Sequence, residues 1–193
     1  MLANYKMIPL LILIIIVIVI LIGMRRNTID VLYVKNFLSR EEHDNIKSEC
    51  EKYNTSLEDD DLVIVKNRKM YTLDKDEYIT KLLTSRNVCD KLKFLGAKPN
   101  HTPVEYRVYE NGGMMKWHRD DQMYRKPQYE IVYTVDNTSD SRTEWYDPDT
   151  NTIHGVSTEP NSILLVKATS VLHRVTPVNM GSRKILKFSY SQK

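Results

Sequence analysis

Cysteine is nearly absent from this chain: Cys50 and Cys89 are the only two in 193 residues. A disulfide-framed scaffold is therefore excluded, and the pair lacks zinc-ligand spacing. Both are expected as thiols, able to pair only in an oxidising lumen. Net charge is scarce as well. The chain holds 28 Lys and Arg against 25 Asp and Glu, but Lys6, Arg25 and Arg26 belong to an amino-terminal stretch, residues 1–26, that has no acid. Residues 27–193 are thus formally neutral and carry no electrostatic footprint for nucleic acid, whose binding leans on basic surface. Internal repeats are missing, which excludes solenoid architectures.

What is present begins with one apolar run. Met7–Met24 reads MIPLLILIIIVIVILIGM without a charged side chain; at 1.5 Å per residue it spans roughly 27 Å, close to a bilayer's hydrocarbon core. Pro9 sits in its first turn, where a missing N–H costs little. The run exceeds the usual signal-peptide core, and Gly23-Met24-Arg25-Arg26 offers no small-x-small cleavage site. A single-pass, uncleaved anchor over residues 1–26 (helix about 7–24) is expected. Basic residues on its two flanks tilt the domain toward the cytosol but leave the side of the membrane open. Sequons at Asn54, Asn100 and Asn137 are no more than chance supplies.

The remaining residues, 27–193, make one domain, with helical support over 27–100 and a β core over 101–193. Asp30–Val34 reads as a strand, and Ser39-Arg40-Glu41-Glu42 is a capping box opening a helix to about Tyr53. Leu62–Lys66 and Lys69–Leu73 read as strands around a turn at Asn67-Arg68. A helical region follows from about Lys75 to Gly96, with Tyr78, Ile79, Leu82 and Leu83 at helical spacing. Short strands then succeed one another: Val104–Glu110, Met115–His118, Tyr129–Val135, Thr143–Tyr146, Ile163–Lys167, Val171–Val175 and Lys184–Tyr190. Helices first and strands after predict an α+β class, with helices packed on one outer face of a β-sandwich or jelly roll.

The chemistry concentrates in two places. Trp117-His118-Arg119-Asp120 puts an imidazole and a carboxylate two residues apart, hence on one face of an extended segment. Alone, His-x-Asp is weak. The second place is Ser170–Arg183, where His173 lies on a strand, a turn Asn179-Met180-Gly181 follows, and Arg183 opens the next strand. Two histidines and one carboxylate form the facial triad of non-haem Fe(II) oxygenases, which leaves positions open for cosubstrate and oxygen. An arginine on the neighbouring strand has the fork that grips a carboxylate; that combination points to 2-oxoglutarate. His43, His101 and His154 lie outside the motif and read as exposed or structural.

The stretch from about Val104 to Tyr190 resembles the catalytic domain of the prolyl 4-hydroxylase-like Fe(II)/2-oxoglutarate dioxygenases. Their Tyr-x-x-Gly-Gly-x-x-x-x-His-x-Asp region is matched by Tyr109 through Gly112, Gly113, His118 and Asp120. The distal motif is matched by His173, Pro177, Val178, Gly181 and Arg183. The resemblance implies a double-stranded β-helix, Fe(II) on His118, Asp120 and His173, 2-oxoglutarate on Arg183, O2 as co-reactant and ascorbate as reductant. By position it also implicates Tyr109, nine residues before the first ligand, and Tyr133, on the strand where relatives place a tyrosine hydroxyl near the cosubstrate carboxylate; each reads equally as a core aromatic with a satisfied hydroxyl. It implies hydroxylation of a protein or peptide, proline before lysine. Two other readings are oxidative demethylation of nucleic acid, disfavoured by the neutral surface, and a membrane-tethered binding module that has lost turnover. The family's Gly-Gly-Glu-Thr stretch is replaced here by residues 138–145, so the substrate loop departs from the pattern.

Overall fold

The computed structural model describes residues 30–123 and 125–192. The expected anchor, residues 7–24, falls outside them; among the described residues no helix is long and apolar enough to cross a membrane.

Helix α1, Arg40–Tyr53, begins where its capping box predicts. The Ser39 hydroxyl accepts the Glu42 N–H at 3.2 Å, and the Glu42 carboxylate accepts the Ser39 N–H at 2.8 Å. These reciprocal bonds satisfy two of the donors a helix start leaves orphaned. One stripe of α1 faces inward, with His43 half-buried and Ile46 and Cys50 buried. The single helical region expected from Lys75 is instead two helices, α2, Tyr78–Leu83, and α3, Arg86–Lys91. Ser85 explains the break: its hydroxyl accepts the Val88 N–H and caps a new start. A 3-10 turn then ends at Gly96, φ +60°, a left-handed stop that glycine adopts without penalty.

Eleven strands form one curled antiparallel sheet: β1 Val31–Val34, β2 Glu58–Asp59, β3 Val65–Leu73, β4 Ala97–Pro99, β5 Val104–His118, β6 Gln128–Asn137, β7 Thr143–Asp147, β8 Thr152–Val156, β9 Ser162–Lys167, β10 His173–Val175 and β11 Arg183–Gln192. Their order is β1-β9-β6-β11-β5-β10-β7-β8, with β3 also on β5, β2 on β3 and β4 on β11. β5 joins the two layers of this jelly roll. Its first half pairs with β11 and β3, β3 staying paired as far as Met115, whereas Met115 and His118 also pair with β10.

The turn expected at Asn67-Arg68 and the strand break expected between Glu110 and Met115 are bulges within continuous strands. Asn67 (φ +46°) and Gly112 (φ +79°) both adopt left-handed backbone, the β3–β5 register shifts between Lys66 and Arg68, and Asn67 Nδ2 donates to the Asn111 carbonyl. A bulge leaves one residue unpaired and bends its strand. Here the bend turns the end of β5, and with it His118, toward the second layer.

The larger layer has two buried faces. On one, Tyr106, Ile131, Tyr133, Leu186 and Phe188 pack against Ile46, Ile79, Leu83 and Val88 of the helices. On the other, Tyr109, Val132, Arg183 and Ile185 look into a cavity between the layers. Alternation along each strand assigns residues to these faces.

Candidate metal centre

His118 closes β5 and His173 opens β10, and the two are direct cross-strand partners. Asp120 follows just beyond the strand end, where its carbonyl accepts the Thr169 N–H at 2.9 Å. Its carboxylate oxygens lie 3.8 Å from His118 Nε2 and 3.4 Å from His173 Nε2. One ligand atom from each of the three residues falls within 4.8 Å of the others.

The histidine tautomers follow from their second nitrogens. His118 Nδ1 is 2.9 Å from the Lys116 carbonyl, and His173 Nδ1 is 3.1 Å from the Val171 carbonyl. A carbonyl only accepts, so each Nδ1 is the donor and each Nε2 is the nitrogen left facing Asp120. Burial, reinforced by His173 beside it, holds the His118 imidazole below its ordinary value. The neutral form that binds metal is therefore the favoured one. Two imidazoles and one carboxylate suit a divalent first-row ion such as Fe(II) and leave half of an octahedron open.

Arg183 lies deeper in the same cavity, 2% exposed, its Nη2 donating to Thr143 Oγ1 at 2.8 Å. Among the described residues its Nε and Nη1 have no partner. Burial lowers its pKa, but a guanidinium stays charged at any physiological pH. A buried cation without an anion is costly, so these two donors fit a carboxylate arriving from the cavity. The residues present thus fit both the iron and the dicarboxylate that the resemblance implies.

Tyr109 pairs with Arg183 across β5 and β11 and also lines the cavity. Burial would raise its phenol, but Arg68, Arg107 and Arg183 outweigh that and bring it below the usual value. Tyr133 corrects the expectation from sequence. It points to the helical face, where its hydroxyl meets His43 Nδ1 at 2.7 Å and Asn161 Oδ1 at 3.2 Å. Glu130 and Val132 occupy the cavity side of β6 instead. His43 is accordingly a structural, half-buried histidine.

Three features escaped the sequence. Thr143 holds Arg183; Arg68, placed at an expected turn, is 3% exposed against Tyr109; and Arg107, Glu130 and Lys187 also line the cavity, Lys187 paired with Glu130 and Arg107 with Glu105. Spacing of two from Tyr109 and Ile185 would have placed Arg107 and Lys187. Of the sequons, Asn137 Nδ2 donates to the Thr158 carbonyl and Asn100 Nδ2 is buried, so neither offers a free amide. Cys50 and Cys89 are free thiols.

No protein-family model and no curated protein sequence matches this chain. Solved structures do. A Pseudomonas putida prolyl-4-hydroxylase is similar at 16% identity and a TM-score of 0.68, covering 85% of this chain and 93% of that one. A Trichoplax adhaerens prolyl hydroxylase, solved with a hypoxia inducible factor peptide, is similar at 15% and 0.70, covering 86% and 85%. The viral collagen prolyl hydroxylase of Paramecium Bursaria Chlorella virus-1, in its 2-oxoglutarate complex, is similar at 15% and 0.61, covering 84% and 96%. This chain has the prolyl 4-hydroxylase-like 2-oxoglutarate/Fe(II) oxygenase fold.

Proposed function

We propose that this protein is an Fe(II)- and 2-oxoglutarate-dependent dioxygenase that hydroxylates a peptidyl residue, proline in the first instance. One observation carries the reading: Arg183, buried with two unpartnered donors, shares a cavity with His118, Asp120 and His173. A metal site alone would fit many chemistries. A cationic anchor at its inner end selects a cosubstrate that chelates with one end and offers a carboxylate at the other.

His118, Asp120 and His173 would hold the iron. Iron bound there supplies oxygen activation: O2 and 2-oxoglutarate give succinate and carbon dioxide while one oxygen atom enters a substrate C–H bond. Arg183, steadied by Thr143, fixes the far carboxylate and so orients the chelating end. Val132, Leu164 and Ile185 exclude water from the space between. The carbonyls of Lys116 and Val171 keep both imidazoles aimed at the metal. A peptide substrate is supported by the peptide-bound Trichoplax relative. Lysine is the second substrate reading that the resemblance implies. The apolar run over residues 7–24 would tether the domain to a membrane, and ascorbate would serve as reductant.

The test is succinate formation by the full chain against a panel of proline- and lysine-containing peptides, with His118→Ala as the blank. Turnover on a proline peptide that vanishes in the blank is the expected result. Turnover confined to lysine peptides moves the assignment to lysine, and no succinate with any peptide favours a binding module.

A further inference from the structure

Tyr109 is 1% exposed, and among the described residues its hydroxyl has a hydrogen-bond donor against it but no acceptor for its own hydrogen. The donor is Arg68, its cross-strand partner on β3, whose Nη1 lies 3.2 Å from the phenolic oxygen. Arg68 is itself immobilised. Asp60 Oδ2 takes its Nε at 2.7 Å and its Nη2 at 2.5 Å, and the Asp60 N–H donates to the Arg68 carbonyl at 2.8 Å. Backbone and side chain lock the same two residues together, beside the bulge at Asn67.

A guanidinium has no acceptor, so toward Tyr109 it can only donate. That occupies a lone pair of the phenol and turns its O–H away from Arg68. The other charged neighbours, Arg107 and Arg183, are also pure donors. The hydroxyl is left as one more donor in a cavity wall where Arg183 already has two free N–H groups.

We propose that Arg68, anchored by Asp60, is a positioning residue: it orients the Tyr109 hydroxyl to donate to the far carboxylate of the dicarboxylate cosubstrate. This rests on the 2-oxoglutarate reading of the site. Arg68 itself does not line the cavity. It fixes a torsion that would otherwise be free, so the hydroxyl meets the carboxylate already aligned.

The experiment is calorimetric titration of the full chain, loaded with Mn(II), with 2-oxoglutarate and separately with 2-oxobutyrate, which has the chelating end but no far carboxylate. Arg68→Met, Asp60→Asn, Tyr109→Phe and the two double variants with Tyr109→Phe are compared, each checked for an intact melting transition. Arg68→Met is expected to weaken 2-oxoglutarate about three- to tenfold and Tyr109→Phe about tenfold or more, as for loss of a hydrogen bond to a charged group. Neither should change 2-oxobutyrate binding. In the Tyr109→Phe background, Arg68→Met should cost less than about twofold, because the group it orients is gone. Asp60→Asn loosens Arg68 while keeping an acceptor for it; it reads the same cycle should Arg68→Met fail to fold. Equal losses for both acids, or the same loss with and without the Tyr109 hydroxyl, would overturn the proposal, since a purely structural or long-range role predicts them. A wild-type protein that binds the two acids alike would instead overturn the cosubstrate reading beneath it.

Discussion

His118 and His173 face each other across the β5–β10 pair with ring centroids 4.2 Å apart. With each outer nitrogen held against a backbone carbonyl, the two inner nitrogens converge beside Asp120 in the arrangement that suits a metal cation. Asp120 supplies the compensating charge.

The triad should therefore bind metal before any cosubstrate arrives. Mn(II) at about a hundred times its dissociation constant should stabilise the wild-type protein by about 2.7 kcal/mol. A thermal-shift titration should show this rise in wild type and none in Asp120→Ala or His173→Ala. A rise of the same size in both variants would place the metal elsewhere.

Arg183→Met separates binding from stability. Without cosubstrate the variant removes a buried cation that has no anionic partner, so it should be as stable as wild type or more so. With 2-oxoglutarate its KM should rise at least about tenfold, as a lost charge-assisted bond predicts. Urea unfolding and steady-state kinetics on one preparation decide both. A strongly destabilised variant would mean that Arg183 has a structural anion not identified in the cavity.

The His43–Tyr133 bond makes a different prediction, on pH. Burial holds His43 below its ordinary 6.5. The unfolded chain therefore takes up a proton that the folded chain refuses, and this stabilising contribution is complete above about pH 6.5 and is lost as pH falls toward the folded value. Melting temperatures between pH 7.5 and 5.5 should fall less steeply in His43→Gln than in wild type. Tyr133→Phe should cost about 1 kcal/mol and leave 2-oxoglutarate affinity unchanged, unlike Tyr109→Phe.

Gly181 and Gly96 are both left-handed, at φ +71° and +60°, yet they should respond differently to alanine. A Cβ at Gly181 would lie 2.3 Å from the Thr138 carbonyl oxygen, whereas at Gly96 nothing lies within 4 Å. Gly96→Ala should cost about 1–2 kcal/mol, the penalty of the left-handed backbone. Gly181→Ala should cost more than about 2 kcal/mol and, two residues before Arg183, should also raise the KM for 2-oxoglutarate. Denaturant melts of the two variants, with their kinetics, test the contrast.

The sequence by itself singled out the candidate ligand set and its candidate anchor. His118, Asp120, His173 and Arg183 were legible because metal and carboxylate chemistry demands those side-chain types at short spacings within strand ends and turns. It also determined the start of α1, since a capping box is a contact over three residues. Only the tertiary structure decided what depends on register. Left-handed residues at Asn67 and Gly112 carry the same local signal in a turn as in a bulge, and only pairing of β3 with β5 made them bulges. β6 is buried on both faces, so hydrophobic pattern could not tell the side of Tyr133 from that of Val132. Arg68 reaches Tyr109 across 41 residues of sequence. A contact between groups so far apart in the chain leaves no local trace, and it exists only once the bulged strands have brought the two side chains to one wall.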